Sequence, residues 1–130
     1  MKAFYAGIVI GLGAAANLAV GGGILGATIF SFALLLICAQ GYDLFTGKVG
    51  ATILGEYPLI KLAQAYFLNA AGILLVVGIM CFSPLDMTIL KGAKDITALR
   101  CANSWYVNYL MGIICGMCVQ LSVGGWRETK

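Results

Sequence analysis

The chain has 130 residues, of which 62% are apolar and 10% charged, with a net charge of +3 and no histidine. A soluble domain typically carries roughly 25% charged residues, so this surface must meet lipid or other apolar protein. The Lys and Arg residues are scattered rather than clustered, which excludes a nucleic-acid patch, and the chain lacks both the usual neutral-pH proton shuttle and the commonest metal ligand.

The first apolar segment runs from about Ala3 to Val20 and the second from about Ile24 to Ala39. Each approaches the roughly 20 residues that a helix needs to cross a bilayer. Gly21-Gly22-Gly23 separates them as a tight turn. Met1-Lys2 ahead of an apolar run, with Ala14-Ala15-Ala16 as a cleavage-like site, also fits a signal peptide. The G-x-x-x-G inside that run and the further spans behind it favour a membrane helix.

The second segment enters Gln40-Gly41-Tyr42-Asp43-Leu44-Phe45-Thr46-Gly47-Lys48 before turning apolar again from Val49 to Leu54, too short to span alone. This reads as one broken helix: a long half, a non-helical loop and a short half. Such backbone is tolerated at membrane depth only where protein buries it or it lines a watery cavity, and discontinuous helices commonly mark a transport site. Asp43 is costly there unless paired. Its expected role is to cap the short half-helix, with Lys48 as a candidate partner.

Gly55-Glu56-Tyr57-Pro58 is a turn, and a third span follows from about Leu59 to Phe82, closed by Ser83-Pro84-Leu85-Asp86. The stretch Met87 to Thr97 carries Lys91, Lys94 and Asp95, and reads as an extramembrane loop or short surface helix. The last span runs from about Cys101 to Trp126, with Trp105, Tyr106 and Tyr109 suited to a headgroup interface. Arg127-Glu128-Thr129-Lys130 forms a polar tail. Four passes put both termini on one side, with Lys2, Lys61, Arg127 and Lys130. Lys91, Lys94 and Arg100 fall on the other, so the charge bias favours cytoplasmic termini by one charge.

The five cysteines lie mostly inside apolar runs, where they read as small buried hydrophobes. Cys115 and Cys118 form a C-x-x-C, but a metal site would need more ligands. Gly7-Ile8-Val9-Ile10-Gly11 in the first span is echoed by Gly112-Ile113-Ile114-Cys115-Gly116 in the last. Both are small-residue packing motifs that let helix backbones approach closely. The echo reads either as chance in a glycine-rich chain or as an internal repeat whose second copy opens with the fourth span.

Gly41-Tyr42-Asp43-Leu44-Phe45-Thr46-Gly47 resembles the G-[AS]-[DE]-L-F-T-G signature of the formate/nitrite transporter family, with Tyr42 in place of the small residue. In that family the motif forms a loop that breaks the second membrane helix. Phe4-Tyr5-Ala6-Gly7-Ile8-Val9-Ile10-Gly11 is similar to its glycine-rich first helix. Tyr66-Phe67-Leu68-Asn69-Ala70-Ala71-Gly72 resembles its third-helix G-N-x-x-G, with Leu68 replacing the first glycine. Gly112-Ile113-Ile114-Cys115-Gly116-Met117-Cys118-Val119 resembles its fourth-helix G-x-L-C-N-x-x-V, with Gly116 where the family has a pore asparagine. The resemblance covers nearly the whole of residues 1–130 as one transmembrane domain. The family has six spans and a pore-centre histidine on the fifth, so the chain looks like a truncated or split member.

The resemblance implies an all-α, aquaporin-like fold, incomplete here, and a protein that carries a small monovalent anion such as formate, nitrite or hydrosulfide. Desolvating such an anion costs several kcal/mol or more. By family position, Arg100 supplies the cation at the mouth, Phe30, Leu44 and Val119 parts of the apolar rings, and Thr46 a hydroxyl near the centre. Phe45 and Gly116 complete the implied substrate pathway. Nothing in the chain can play the histidine, so the chain alone is not expected to carry proton-coupled transport. The plainer readings are that Arg100 snorkels to an interface and that Phe30 and Val119 face lipid or pack. The implied partners are the lipid bilayer of the inner (plasma) membrane, a small anion, and either further copies, five by resemblance, or a second chain supplying the missing spans. No cofactor, metal, nucleic acid or enzymatic activity is expected. The alternative is a non-transporting membrane fragment or a small membrane-interaction protein.

Overall fold

The computed structural model describes residues 1–82, 84 and 86–128. Six α-helices occupy them: α1 Lys2–Ala19, α2 Gly23–Gln40, α3 Phe45–Ile53, α4 Leu59–Met80, α5 Asp86–Ala102 and α6 Trp105–Glu128. Of these α1, α2, α4 and the Trp105–Trp126 stretch of α6 are long and apolar enough to cross a membrane.

The interior is made of small side chains. Ala3, Ala6, Ala51 and Ala65 are buried, together with Ile37, Leu62 and Val76. The large apolar residues face outward: Phe32, Phe67, Leu74 and Leu121 are each at least 66% exposed. In water that arrangement would be unstable. In lipid it is the expected one, because helices there associate through close backbone packing rather than by hiding hydrophobes.

The α1–α4 contact shows how. A Cβ on Gly72 would lie 2.8 Å from the Ile8 backbone nitrogen and 2.9 Å from the Gly7 carbonyl carbon, and a Cβ on Gly7 would lie 2.8 Å from the Asn69 Cα. Neither glycine can carry a side chain without separating the helices. Gly11 follows against Val76, whose Cβ would be 3.2 Å from an added Cβ. The contacts climb together along both helices, so α1 and α4 run in the same sense. On its other side α1 meets α2, with Gly13 against Ala33 and Gly26 against Asn17. α3 packs on α4 and α6, and α5 touches α1, where Leu18 lies 3.3 Å from a Cβ placed on Gly92.

Several sequence expectations need correction. The helix resumes at Phe45, so only residues 41–44 are non-helical, not the whole stretch to Lys48. The reason is tertiary: a side chain from α4 satisfies the first free N–H of α3. The segment after α4 forms a 17-residue helix, which takes in Cys101, and α6 begins at Trp105 instead. Asn103-Ser104 breaks the two: the Ser104 carbonyl accepts from Val107 and Asn108, and the Asn108 side chain donates to the Arg100 carbonyl at 2.7 Å. Ser83 and Leu85 of the expected closure, and Thr129 and Lys130 of the tail, lie outside the described residues, while α6 extends through Arg127 and Glu128. The cysteines are not buried small hydrophobes: Cys81, Cys101, Cys115 and Cys118 are exposed and Cys38 is half-buried. The second small-residue motif also differs from the first. Among the described residues nothing lies within 4 Å of a Cβ placed on Gly112 or Gly116.

Candidate functional site

Between α2 and α3 the chain makes a short non-helical passage held by specific bonds. Gly41 ends α2 in the left-handed conformation, φ 62° and ψ 38°, which a residue without Cβ adopts cheaply. The Gly41 N–H donates to the Cys38 carbonyl at 3.2 Å and the Tyr42 N–H to the Ile37 carbonyl at 3.0 Å. This double closure satisfies two of the carbonyls a helix leaves open at its end. Gly21 closes α1 the same way, donating to Leu18.

The start of α3 is satisfied from a different helix. Asn69 of α4, only 5% exposed, accepts the Phe45 N–H on its Oδ1 at 2.9 Å. Its Nδ2 donates to the Ala3 carbonyl at 2.7 Å and the Asp43 carbonyl at 3.1 Å. One amide thus ties together α1, the passage and α3. Leu44 sits at the N-cap position with extended backbone and no side-chain cap. The Asp43 carboxylate therefore does not cap α3. It pairs instead with the Lys48 ammonium at 2.9 Å, the partner that the sequence allowed.

Around this passage the aromatic rings close in. Tyr42 lies against Tyr5 at 5.9 Å between ring centroids, Phe45 against Tyr66 at 5.2 Å, and the Lys48 ammonium sits 5.0 Å from the Tyr57 ring centroid. Tyr57 lies in the turn between α3 and α4. Burial raises its phenol pKa above 10.0, and the Asp43 carboxylate raises it further, since both oppose a second negative charge.

Asn69 is the eleventh residue of the 22-residue α4. The passage is thus level with the middle of that helix, about 15 Å along its axis from Leu59 at roughly 1.5 Å per residue. Beside it a cleft opens between α2 and α6. One cavity of about 280 Å³ is lined by Ile37, Cys38, Gly41, Tyr42, Leu44, Gly47, Lys48, Val123 and Trp126. A second of about 240 Å³ is lined by Ser31, Leu34, Leu35, Cys38, Val119, Ser122, Val123 and Trp126. The two share Cys38, Val123 and Trp126, so they adjoin. The walls are mostly apolar, with Ser31, Ser122 and Lys48 as polar groups.

Of the residues expected in the pathway, Leu44 and Val119 line this cleft. Phe45 and Thr46 follow Leu44 in the first turn of α3, where Phe45 packs on Tyr66 and Thr46 is exposed. Gly116 lies half-buried one turn before Val119 on α6. Phe30 lies against α1, with its ring 3.5 Å from a Cβ placed on Gly13. Arg100 is exposed in the last turn of α5. The sequence reading left Cys38, Tyr42, Lys48 and Trp126 out of the pathway and gave Asn69 no role there. Asn69 carried a signal: it is an amide inside an apolar span, where polar groups are expensive and need partners. Trp126 carried none, because its place in the cleft depends on how α6 lies against α2.

The formate/nitrite transporter family matches residues 1–128. No curated protein and no solved structure matches the chain significantly. With four helices able to cross a membrane and a family match over nearly its whole length, the chain is a multi-pass membrane protein that belongs to the formate/nitrite transporter family.

Proposed function

We propose that this chain is a transport subunit for a small monovalent anion, formate, nitrite or hydrosulfide, whose path runs along the cleft between α2 and α6. The observation that carries the reading is the non-helical passage of residues 41–44, which Asn69 holds level with the middle of α4 and with the first turn of α1. Backbone of that kind is expensive at membrane depth unless it serves a cavity, and here a cavity adjoins it. α2 and α3 are the two halves of one broken crossing in an aquaporin-like arrangement. The parallel course of α1 and α4 supports this, because an odd number of crossings must then separate them.

Leu44 and Val119 narrow the path, while Thr46 and Gly116 stand beside it. Phe30 acts from the α1 side, Phe45 fixes the loop, and Arg100 attracts the anion from the α5 end. The cleft is open along one flank, so it conducts when further copies of the chain, or a second chain, cover that flank. The termini are cytoplasmic and the membrane is the plasma membrane. Having no imidazole, the chain itself contributes no proton donor of that kind to transport.

The test is flux of formate, nitrite and hydrosulfide into liposomes, with and without a pH gradient. It compares the purified chain with the assembly taken from its native membrane, where any second chain accompanies it. The expected result is saturable flux from the assembly that falls on Arg100→Ala and on Thr46→Ala. The chain alone gives no proton-coupled flux. An assembly that carries none of the three anions would overturn the reading in favour of a non-transporting membrane protein.

A further inference from the structure

Lys48 is a charged residue of the cleft that the implied anion path does not use. Its side chain is 20% exposed and that of its partner Asp43 27% exposed. An ammonium has three donors. One is directed to the Asp43 carboxylate and another side of the group faces the Tyr57 ring. Lys48 also lines the larger cavity, together with Leu44, Tyr42 and Trp126. Among the described residues Asp43 is the ion-pair partner of the ammonium, and Lys48 is the cationic residue of the cavity wall.

The position of this cation along the cleft is informative. The Arg100 carbonyl is bonded by Asn108, in the first turn of α6. Lys48 shares its cavity with Val123 and Trp126, in the last turns of α6. Fifteen residues separate Asn108 from Val123, about 22 Å along the axis at roughly 1.5 Å per residue. The two cations therefore stand toward opposite ends of α6. The larger cavity is lined by Lys48, and beside that cation stands a carboxylate that can take the place of a bound anion.

We propose that Lys48 forms an anion site in the cavity beside Leu44, binding a formate-sized monovalent anion in exchange for the Asp43 carboxylate. The site rests on the reading of the cleft as an anion path and adds to it a second cationic station. Asp43 keeps the empty ammonium from standing unpaired in a poorly solvated place, a state that is unfavourable because the charge has lost part of its hydration. An arriving anion takes over that pairing, and the carboxylate turns toward solvent. Asp43 thus competes with the anion and sets a low affinity, which lets the ion leave again.

Trp126 in the same cavity gives a readout independent of flux. Trp105 is replaced by Phe so that Trp126 is the one remaining tryptophan, and iodide, a quenching monovalent anion, is titrated against its fluorescence in detergent. Saturable quenching that formate relieves is the expected result. Lys48→Met raises the half-quenching concentration by about tenfold, Lys48→Arg preserves it within about twofold, and Asp43→Asn lowers it by roughly threefold or more. The double variant Lys48→Met with Asp43→Asn removes both charges and strands neither. It loses the site to the same extent, with folding checked by circular dichroism. Linear quenching of equal slope in all variants would overturn the site. Saturable, Lys48-dependent quenching in an assembly without flux would leave the site standing and remove the transport reading. Flux with Lys48-independent quenching would do the reverse.

Discussion

Replacing Asn69 by Ala tests whether one amide holds the break in place. The substitution removes three hydrogen bonds, from the Phe45 N–H and to the Ala3 and Asp43 carbonyls. It leaves those three backbone groups without the partner they have now, at a residue 5% exposed. Each such bond contributes about 1 kcal/mol net, and each buried group left unsatisfied costs about 1–3 kcal/mol. The loss is therefore at least about 3 kcal/mol, a large part of the stability of a small domain. The removed side-chain volume adds to it. Asn69→Asp keeps an acceptor for Phe45 but loses both donations and buries a charge, so it costs no less. The assay is unfolding in mixed detergent, followed by circular dichroism. Asn103→Ala, at an exposed position between α5 and α6, serves as control and stays within about 0.5 kcal/mol of the parent. The same measurement followed by hydrogen exchange at Phe45 separates local from global loss, because that amide loses its acceptor directly. An Asn69→Ala chain as stable as the Asn103→Ala control, with Phe45 still protected, would refute the account of the break.

Two further outcomes follow from packing and from charge. Gly72→Val places its Cβ against the backbone of Ile8 and Gly7, and forcing the two helices apart costs roughly 1–3 kcal/mol or more. Gly78→Ala on the same helix meets nothing within 4 Å among the described residues and gains up to about 1 kcal/mol in helix propensity, so equal stability of the two variants in the detergent assay would refute the close α1–α4 contact. Tyr57 gives the pH dependence. Its pKa is raised in the fold by burial and by Asp43, so the folded chain holds the phenol proton more tightly than the unfolded one. That contribution is fully present below the ordinary value of 10.0 and is lost as pH rises through the raised value. Tyr57→Phe removes this part of the alkaline destabilisation, and a parent and variant whose unfolding curves run parallel from pH 9 to pH 12 would contradict it.

Much of the architecture was legible in the chain itself. Apolar runs of membrane length place α1, α2 and α4 to within two residues, because a helix in lipid must satisfy all its own backbone bonds and so must be continuous and apolar. Glycine marked the ends: Gly21 and Gly41 sit where left-handed closures occur. Hydropathy placed an interruption after α2, of which residues 41–44 are non-helical, and Lys48 stood close enough in the chain to pair with Asp43, as it does at 2.9 Å. These features are local, reaching no further than a few residues along the chain.

The tertiary structure decided everything that depends on a partner distant in sequence. Residues 45–48 became helix rather than loop because Asn69, 24 residues away, takes the Phe45 N–H. No rule of local capping contains that bond, and it left Asp43 free to pair with Lys48. Two nearly identical glycine motifs met different fates: Gly7 and Gly11 lie against α4, whereas Gly112 and Gly116 face open space among the described residues. The sequence specifies a surface capable of close approach in both cases, but only the arrangement of helices determines which surface is met. The cleft that brings Lys48 to Trp126 has the same origin. Its walls come from α2, α3 and α6, and no pattern within one helix fixes the distance between two.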